Sequence, residues 1–235
     1  MNPTEYRLFS TNPIQFLSSD NYNLRFNLPH PKGASVHRQT HYPGTKLPVT
    51  FYHSESLLST VHLYTERPVY QPNPVLWINS KSGGVAGKTE RAYYLHWQPD
   101  SAYAVMVGSN AKFFFTAELT GCGLLLYDCP DGILAVHLNM DVDSCVKKRF
   151  ESQSKYLSRD SANRFKVKNA EFSTLADRIE EDYPELQGGA RFLPHHYQSQ
   201  GSGKAHVFGV NNDNVWTFYY SVGDLYGIFY RQGSH

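Results

Sequence analysis

The stretch from Leu124 to Asn139 leaves the chain little choice of local structure. Two apolar runs, Leu124 to Tyr127 and Ile133 to Asn139, bracket the turn formers Asp128-Cys129-Pro130-Asp131-Gly132. Proline presets the backbone for a turn position, aspartate bonds its own backbone, and glycine admits conformations closed to other residues. An antiparallel hairpin is therefore predicted. The same grammar recurs along the chain. Val49 to Tyr64, Pro74 to Asn79, Ala92 to Trp97, Tyr103 to Val107, Phe113 to Thr116, Ala205 to Val210, Val215 to Val222 and Leu225 to Arg231 are apolar or alternating runs that read as strands. Gln98-Pro99-Asp100, Asn211 to Asn214 and Gly223-Asp224 separate them, the last as a tight two-residue hairpin link. The 17 Tyr and 14 Phe suit a half-buried pleated surface, so the composition also leans toward β.

Helical signals are fewer. Phe172, Leu175, Ala176, Ile179 and Tyr183 recur at helical spacing against a polar face of Ser173, Asp177 and Glu180 to Asp182, which predicts an amphipathic helix ending near Pro184. A shorter helix is expected around Ser144 to Leu157. Residues 1–48 are broken by Pro3, Pro13, Pro29, Pro31, Pro43 and Pro48, so an irregular or short-stranded N-terminal arm is expected there. Strands dominate and the helices come late, which predicts an α+β class: a mixed or antiparallel β-sandwich core flanked by helices and loops, in one domain over residues 1–235.

Bulk charge excludes some functions. Lys+Arg 22 against Asp+Glu 21 gives a formal net charge of +1, so no global field draws the chain to nucleic acid or an anionic membrane, and neither is expected as a direct partner. No apolar run approaches the ~20 residues that a membrane span needs, and the N-terminus lacks a basic segment followed by an apolar one. A soluble chain without a standard export signal is expected, and a monomer. Three cysteines without a Cys-x-x-Cys pair point to free thiols rather than a disulfide framework. The glycine-bearing Ser80 to Gly87 lacks the spacing of a phosphate loop, and the eleven histidines, including His195-His196 in a predicted loop, show no zinc spacing. No cofactor or metal is expected.

Chemistry concentrates beside the hairpin. Cys122 follows Leu119-Thr120-Gly121, and His137 comes fifteen residues later on the far arm. In a bulge-free pair centred between Cys129 and Pro130, the two oppose each other on one face, with backbone positions about 4.5–5.5 Å apart. A free thiol with pKa near ~8.5 is only slightly ionised at neutral pH, and an imidazole can take its proton and then deliver it to a leaving amine. Gly121 and Gly123 flank the sulfur, admitting substrate and leaving N–H groups for an oxyanion site. Thr116, Thr120 and Asn139 are the candidates to orient the imidazole. The same pair also fits a packed core, because isolated cysteines are among the most buried residues. Cys129 and Cys145 read as free structural thiols.

The segment YYLHWQPDSAYAVMVGSNAKFFFTAELTGC, with a histidine on the next strand, resembles the catalytic core of Burkholderia lethal factor. It is similar, more distantly, to the glutamine deamidase domain of the cytotoxic necrotizing factors. These toxins share a Leu-Ser-Gly-Cys motif; here it is Leu119-Thr120-Gly121-Cys122, with Thr120 in place of serine. The likeness covers roughly Tyr93 to Asn139 and extends to HVFGVNNDNVWTFYYSV near the C-terminus. It implies a deamidase-toxin-like fold with Cys122 as nucleophile, His137 as base and Thr116, six residues before the cysteine, as the residue orienting the histidine. Leu119, Thr120, Gly121 and Gly123 then lie in the substrate and oxyanion vicinity. The implied protein is a bacterial toxin or effector, released without a standard signal peptide and acting in the host cytosol. Its implied reaction is hydrolysis of a host glutamine side chain, most closely matching an enzyme that acts on a translation initiation RNA helicase. The alternatives are a Rho-type GTPase deamidase or transglutaminase, peptide cleavage, and a non-catalytic binding module.

Overall fold

Alternation along the strands decides how this chain packs. In the computed structural model, which describes residues 1–29, 33–81, 83–140, 161–186, 188–198 and 203–234, fourteen strands form two mixed sheets. The larger sheet comprises β1 (Asn23–Asn27), β4 (Leu58–Glu66), β5 (Val75–Asn79), β6 (Lys88–Leu95), β8 (Phe113–Thr116), β12 (His206–Asn212), β13 (Val215–Val222) and β14 (Leu225–Arg231). Its order is β1-β5-β4-β6-β8-β12-β13-β14. The smaller comprises β2 (Val36–His41), β3 (Pro48–Tyr52), β7 (Ser101–Val107), β9 (Gly123–Cys129), β10 (Gly132–Asn139) and β11 (Gly189–Phe192), in the order β11-β9-β10-β7-β3-β2. The fold is α+β with a sandwich-like core, as the sequence predicts.

Successive side chains on a strand face opposite ways, and three apolar layers follow. The central layer joins Tyr93, Leu95 and Phe114 of the larger sheet to Tyr103, Val105, Leu124, Leu126, Ile133 and Ala135 of the smaller one, and it includes Cys122. The alternate residues face outward. Leu125, Tyr127, Leu134, Val136 and Leu138 are covered by Phe172, Leu175, Ala176 and Ile179 of the helix Ser161–Asp182. This is the predicted amphipathic helix, here α3, and all four of those residues are fully buried.

The other outer layer corrects the expectation for the N-terminus. Residues 1–48 carry the short strands β1 and β2, in keeping with a short-stranded arm, but they open with two helices that the expectation lacks, α1 (Pro3–Thr11) and α2 (Pro13–Ser19). Pro3 and Pro13 each sit in the first turn of a helix, where a missing N–H costs nothing, so they start helices instead of breaking them. Asn2 and Glu5 complete a capping box on α1. Phe9 stacks on Phe113 and Phe208, at ring separations of 5.6 and 5.5 Å, and Phe16 and Leu17 join it over the larger sheet. Burying such side chains contributes about 1.5–3 kcal/mol each, so this segment is part of the core. The expected helix at Ser144 to Leu157 and Cys145 lie outside the described residues. Gly223-Asp224 does form the tight link, with Val222 opposite Leu225.

Candidate active site

The hairpin forms with a different register. Cys129 pairs with Gly132, so the turn is only Pro130-Asp131 and is centred one residue later than expected. Proline's fixed φ and lack of an N–H place it at the first position inside the turn, and Gly132, at φ +141°, lies against the Val107 carbonyl where a side chain would not fit. His137 therefore opposes Leu124, not Cys122. Because side chains alternate, a shift of two positions preserves the face. Cys122, just before β9, and His137 both belong to the inner side of the smaller sheet, as diagonal neighbours at roughly 7–8 Å between backbones.

Thr116 reaches this histidine from the other sheet. It ends β8 on the same inward parity as Phe114, and its Oγ1 lies 2.6 Å from His137 Nδ1, fully buried. The hydroxyl hydrogen is already committed, since Oγ1 donates to the Leu95 carbonyl at 3.1 Å. A threonine hydroxyl has one hydrogen, so it must accept from Nδ1–H. That accounting fixes the tautomer and leaves Nε2 with its lone pair, buried and without a hydrogen-bond partner. Of the three candidates to orient the ring, Thr116 does so. Asn139 instead accepts from the Cys122 thiol at 3.4 Å and donates to the Gln98 carbonyl at 3.1 Å. Thr120 is exposed and contributes its backbone N–H to the sulfur.

The cysteine loop is pinned on several sides. Leu119 exchanges backbone bonds with Ala205, at 2.8 and 3.0 Å, tying the loop to the approach of β12. Gly121 adopts φ +85°, which a residue with a Cβ resists. Tyr197 lies in a five-residue helix, α4 (Pro194–Gln198), where the sequence predicts a loop. Its hydroxyl accepts from the Gly121 N–H at 2.7 Å and donates to the Cys122 carbonyl at 3.0 Å. Lys168 of α3 donates to the Gly121 carbonyl at 3.1 Å.

These contacts change the roles expected of the two glycines. The Gly121 N–H is taken by Tyr197 and is not free for an oxyanion. Gly123 makes room for packing, not for substrate: a Cβ there would sit 3.1 Å from both Phe172 and Leu193 and 3.4 Å from Leu138. The Cys122 N–H, in a trans peptide, points away from the Gly121 carbonyl and Lys168.

Burial sets the charge state. It pushes the Cys122 thiol up to about 11, with Lys168 and then the Thr120 N–H pulling the other way. It pulls His137 down to about 3, aided by the neighbouring His96. His96 is packed against Tyr52 and Tyr103, with ring separations of 5.4 and 4.7 Å. At neutral pH the site thus holds a neutral thiol, turned to Asn139, and on the same face a neutral imidazole whose Nε2 makes no hydrogen bond. Among the described residues no group of three or more metal-ligating side chains is placed to hold an ion, and no helix is long and apolar enough to cross a membrane.

Tyr197, Lys168 and His96 are absent from the sequence reading. Tyr197 and Lys168 come from segments far along the chain, and neither sits in a spaced motif. His96 lies in the AYYLHW run, where strand patterning says nothing of its neighbour across the sandwich. No known protein family matches the chain, and no characterised protein matches it.

Proposed function

We propose that the protein is a glutamine deamidase working through a Cys122 thioester, with His137 as base and Thr116 as the residue that orients it. The single observation that carries this reading is the relay Leu95 carbonyl, Thr116 hydroxyl, His137 Nδ1–H, which leaves a buried lone pair on the face that holds the thiol. A core histidine would be expected to use both nitrogens. A general base needs one nitrogen anchored and the other open.

The steps balance without a cofactor. Cys122 Sγ attacks the carboxamide carbon while His137 Nε2 takes the thiol proton, and the Cys122 N–H faces the developing oxyanion. Nε2 returns that proton to the nitrogen, ammonia leaves, and a thioester remains. Water attacks the thioester, losing a proton to Nε2. The sulfur departs and is reprotonated, and glutamate is released. A neutral amide becomes a carboxylate, a change large enough to disable a buried functional site on the target.

By the sequence resemblance, the substrate is a host protein met in the cytosol, with a translation initiation RNA helicase favoured over a Rho-type GTPase. Peptide mass spectrometry of a eukaryotic lysate tests this. One protein gains the amide-to-acid mass shift with wild type and not with Cys122→Ser; no such protein would defeat the reading, and an added amine would mean transglutamination instead.

A second reading is favoured by one observation: Cys122 is only 3% exposed. On that reading the pair is structural and the protein is a binding module. Iodoacetamide then shows no preference for Cys122 over Cys129 or Cys145, and Cys122→Ser retains biological effect.

A further inference from the structure

Neither His137 nor any group bonded to the Cys122 sulfur supplies a positive charge to a thiolate. His137 is neutral, and protonating it would place a cation in a fully buried position beside His96. The other groups facing the sulfur are Asn139 from β10, Tyr197 from α4, the Thr120 N–H from its own loop, and Lys168 from α3. Lys168 alone carries a fixed charge.

Its placement follows from helix geometry. Lys168 and Phe172 are four residues apart on α3, so they share one face. Phe172 packs where Gly123 lacks a side chain, and Lys168 reaches the Gly121 carbonyl. The two side chains therefore straddle Cys122, one on each neighbouring glycine. Three further buried residues, Leu175, Ala176 and Ile179, seat the helix on the smaller sheet.

We propose that Lys168, and not His137, supplies the positive charge that stabilises the Cys122 thiolate, with Phe172 in the notch at Gly123 setting its position. Lys168 is a positioning residue: it touches the loop and acts on the sulfur through its field. The inference rests on Cys122 being the nucleophile. It separates two jobs often given to one histidine, proton transfer at His137 and charge stabilisation at Lys168. In keeping with this, Lys168 leads the influences that lower the thiol pKa.

The test is the pH profile of iodoacetamide alkylation at Cys122, followed by peptide mass spectrometry in the full chain. Lys168→Met removes charge and hydrogen bond, Lys168→Gln keeps a donor without charge, and Lys168→Arg keeps the charge. The expected result is alkylation about fivefold to tenfold slower at pH ~8 for Met and Gln, converging with wild type at high pH, and Arg within about twofold of wild type. Gln remaining with wild type would overturn the role of charge even if Met unfolds, and superimposed profiles in all variants would overturn the proposal. Deamidation is scored separately. A shifted profile with no glutamine modified defeats the deamidase reading alone, while deamidation with unshifted profiles defeats only this inference.

Discussion

Thr116 Oγ1 and His137 Nδ1, brought together from opposite sheets, lie 2.6 Å apart in a fully buried contact. Its consequence is a fixed tautomer, since the threonine hydrogen belongs to the Leu95 carbonyl. Thr116→Val keeps the volume and removes the acceptor. It is expected to cost about 1–3 kcal/mol of stability, because Nδ1–H is left buried and unpaired, and to lower kcat more than it raises KM. Thr116→Ser should restore most of both. Chemical denaturation and steady-state kinetics on the two variants check this.

The depressed pKa of His137 makes acid stability a readout of its burial. The unfolded chain takes up a proton near its ordinary value of 6.5, while the folded site resists down to about 3. Stability from this group is complete above the unfolded value and declines as pH falls through that window, at up to about 1.4 kcal/mol per pH unit. His137→Gln should flatten the dependence between those limits. Urea unfolding across acid pH measures the slope.

Tyr197 clamps the peptide around Cys122 with one hydroxyl. Tyr197→Phe leaves the ring in the core and strands the Gly121 N–H and the Cys122 carbonyl. The expected outcome is a loss of about 1–3 kcal/mol together with slower Cys122 alkylation at every pH. A structural role alone would lower stability and leave the alkylation rate of the folded protein unchanged.

Gly121→Ala is expected to strain the same loop. At φ +85° an added Cβ costs about 1–2 kcal/mol, and relaxing that strain moves Cys122. A lowered melting temperature with reduced activity at unchanged KM is the expected pattern, read by calorimetry and kinetics.

Much of this architecture is legible in the sequence because alternation and turn chemistry are local. The strands flanking Cys122, the hairpin, the helix from Phe172 to Tyr183 and the Gly223-Asp224 link all follow from periodicity and turn formers. Register was less accessible: Pro130-Asp131 closes a shorter turn than five turn formers in a row suggest, and only the ladder shows it. Prolines misled at the N-terminus, where a residue that ends helices in their interior begins them at the first turn. Within the site, Cys122 and His137 are visible through their spacing and Thr116 through the resemblance. Tyr197 and Lys168 owe their place to the packing of α3 and α4, which no local pattern in the sequence encodes.

In the proposed reaction Cys122 carries an acyl intermediate that water resolves. Incubation of wild-type protein with eukaryotic lysate in heavy-oxygen water, followed by peptide mass spectrometry, tests it directly. The expected result is one target glutamine converted to glutamate with a single heavy oxygen, and none with Cys122→Ser or His137→Gln. Equal labelling with Cys122→Ser, or no labelled glutamate with any variant, would contradict it.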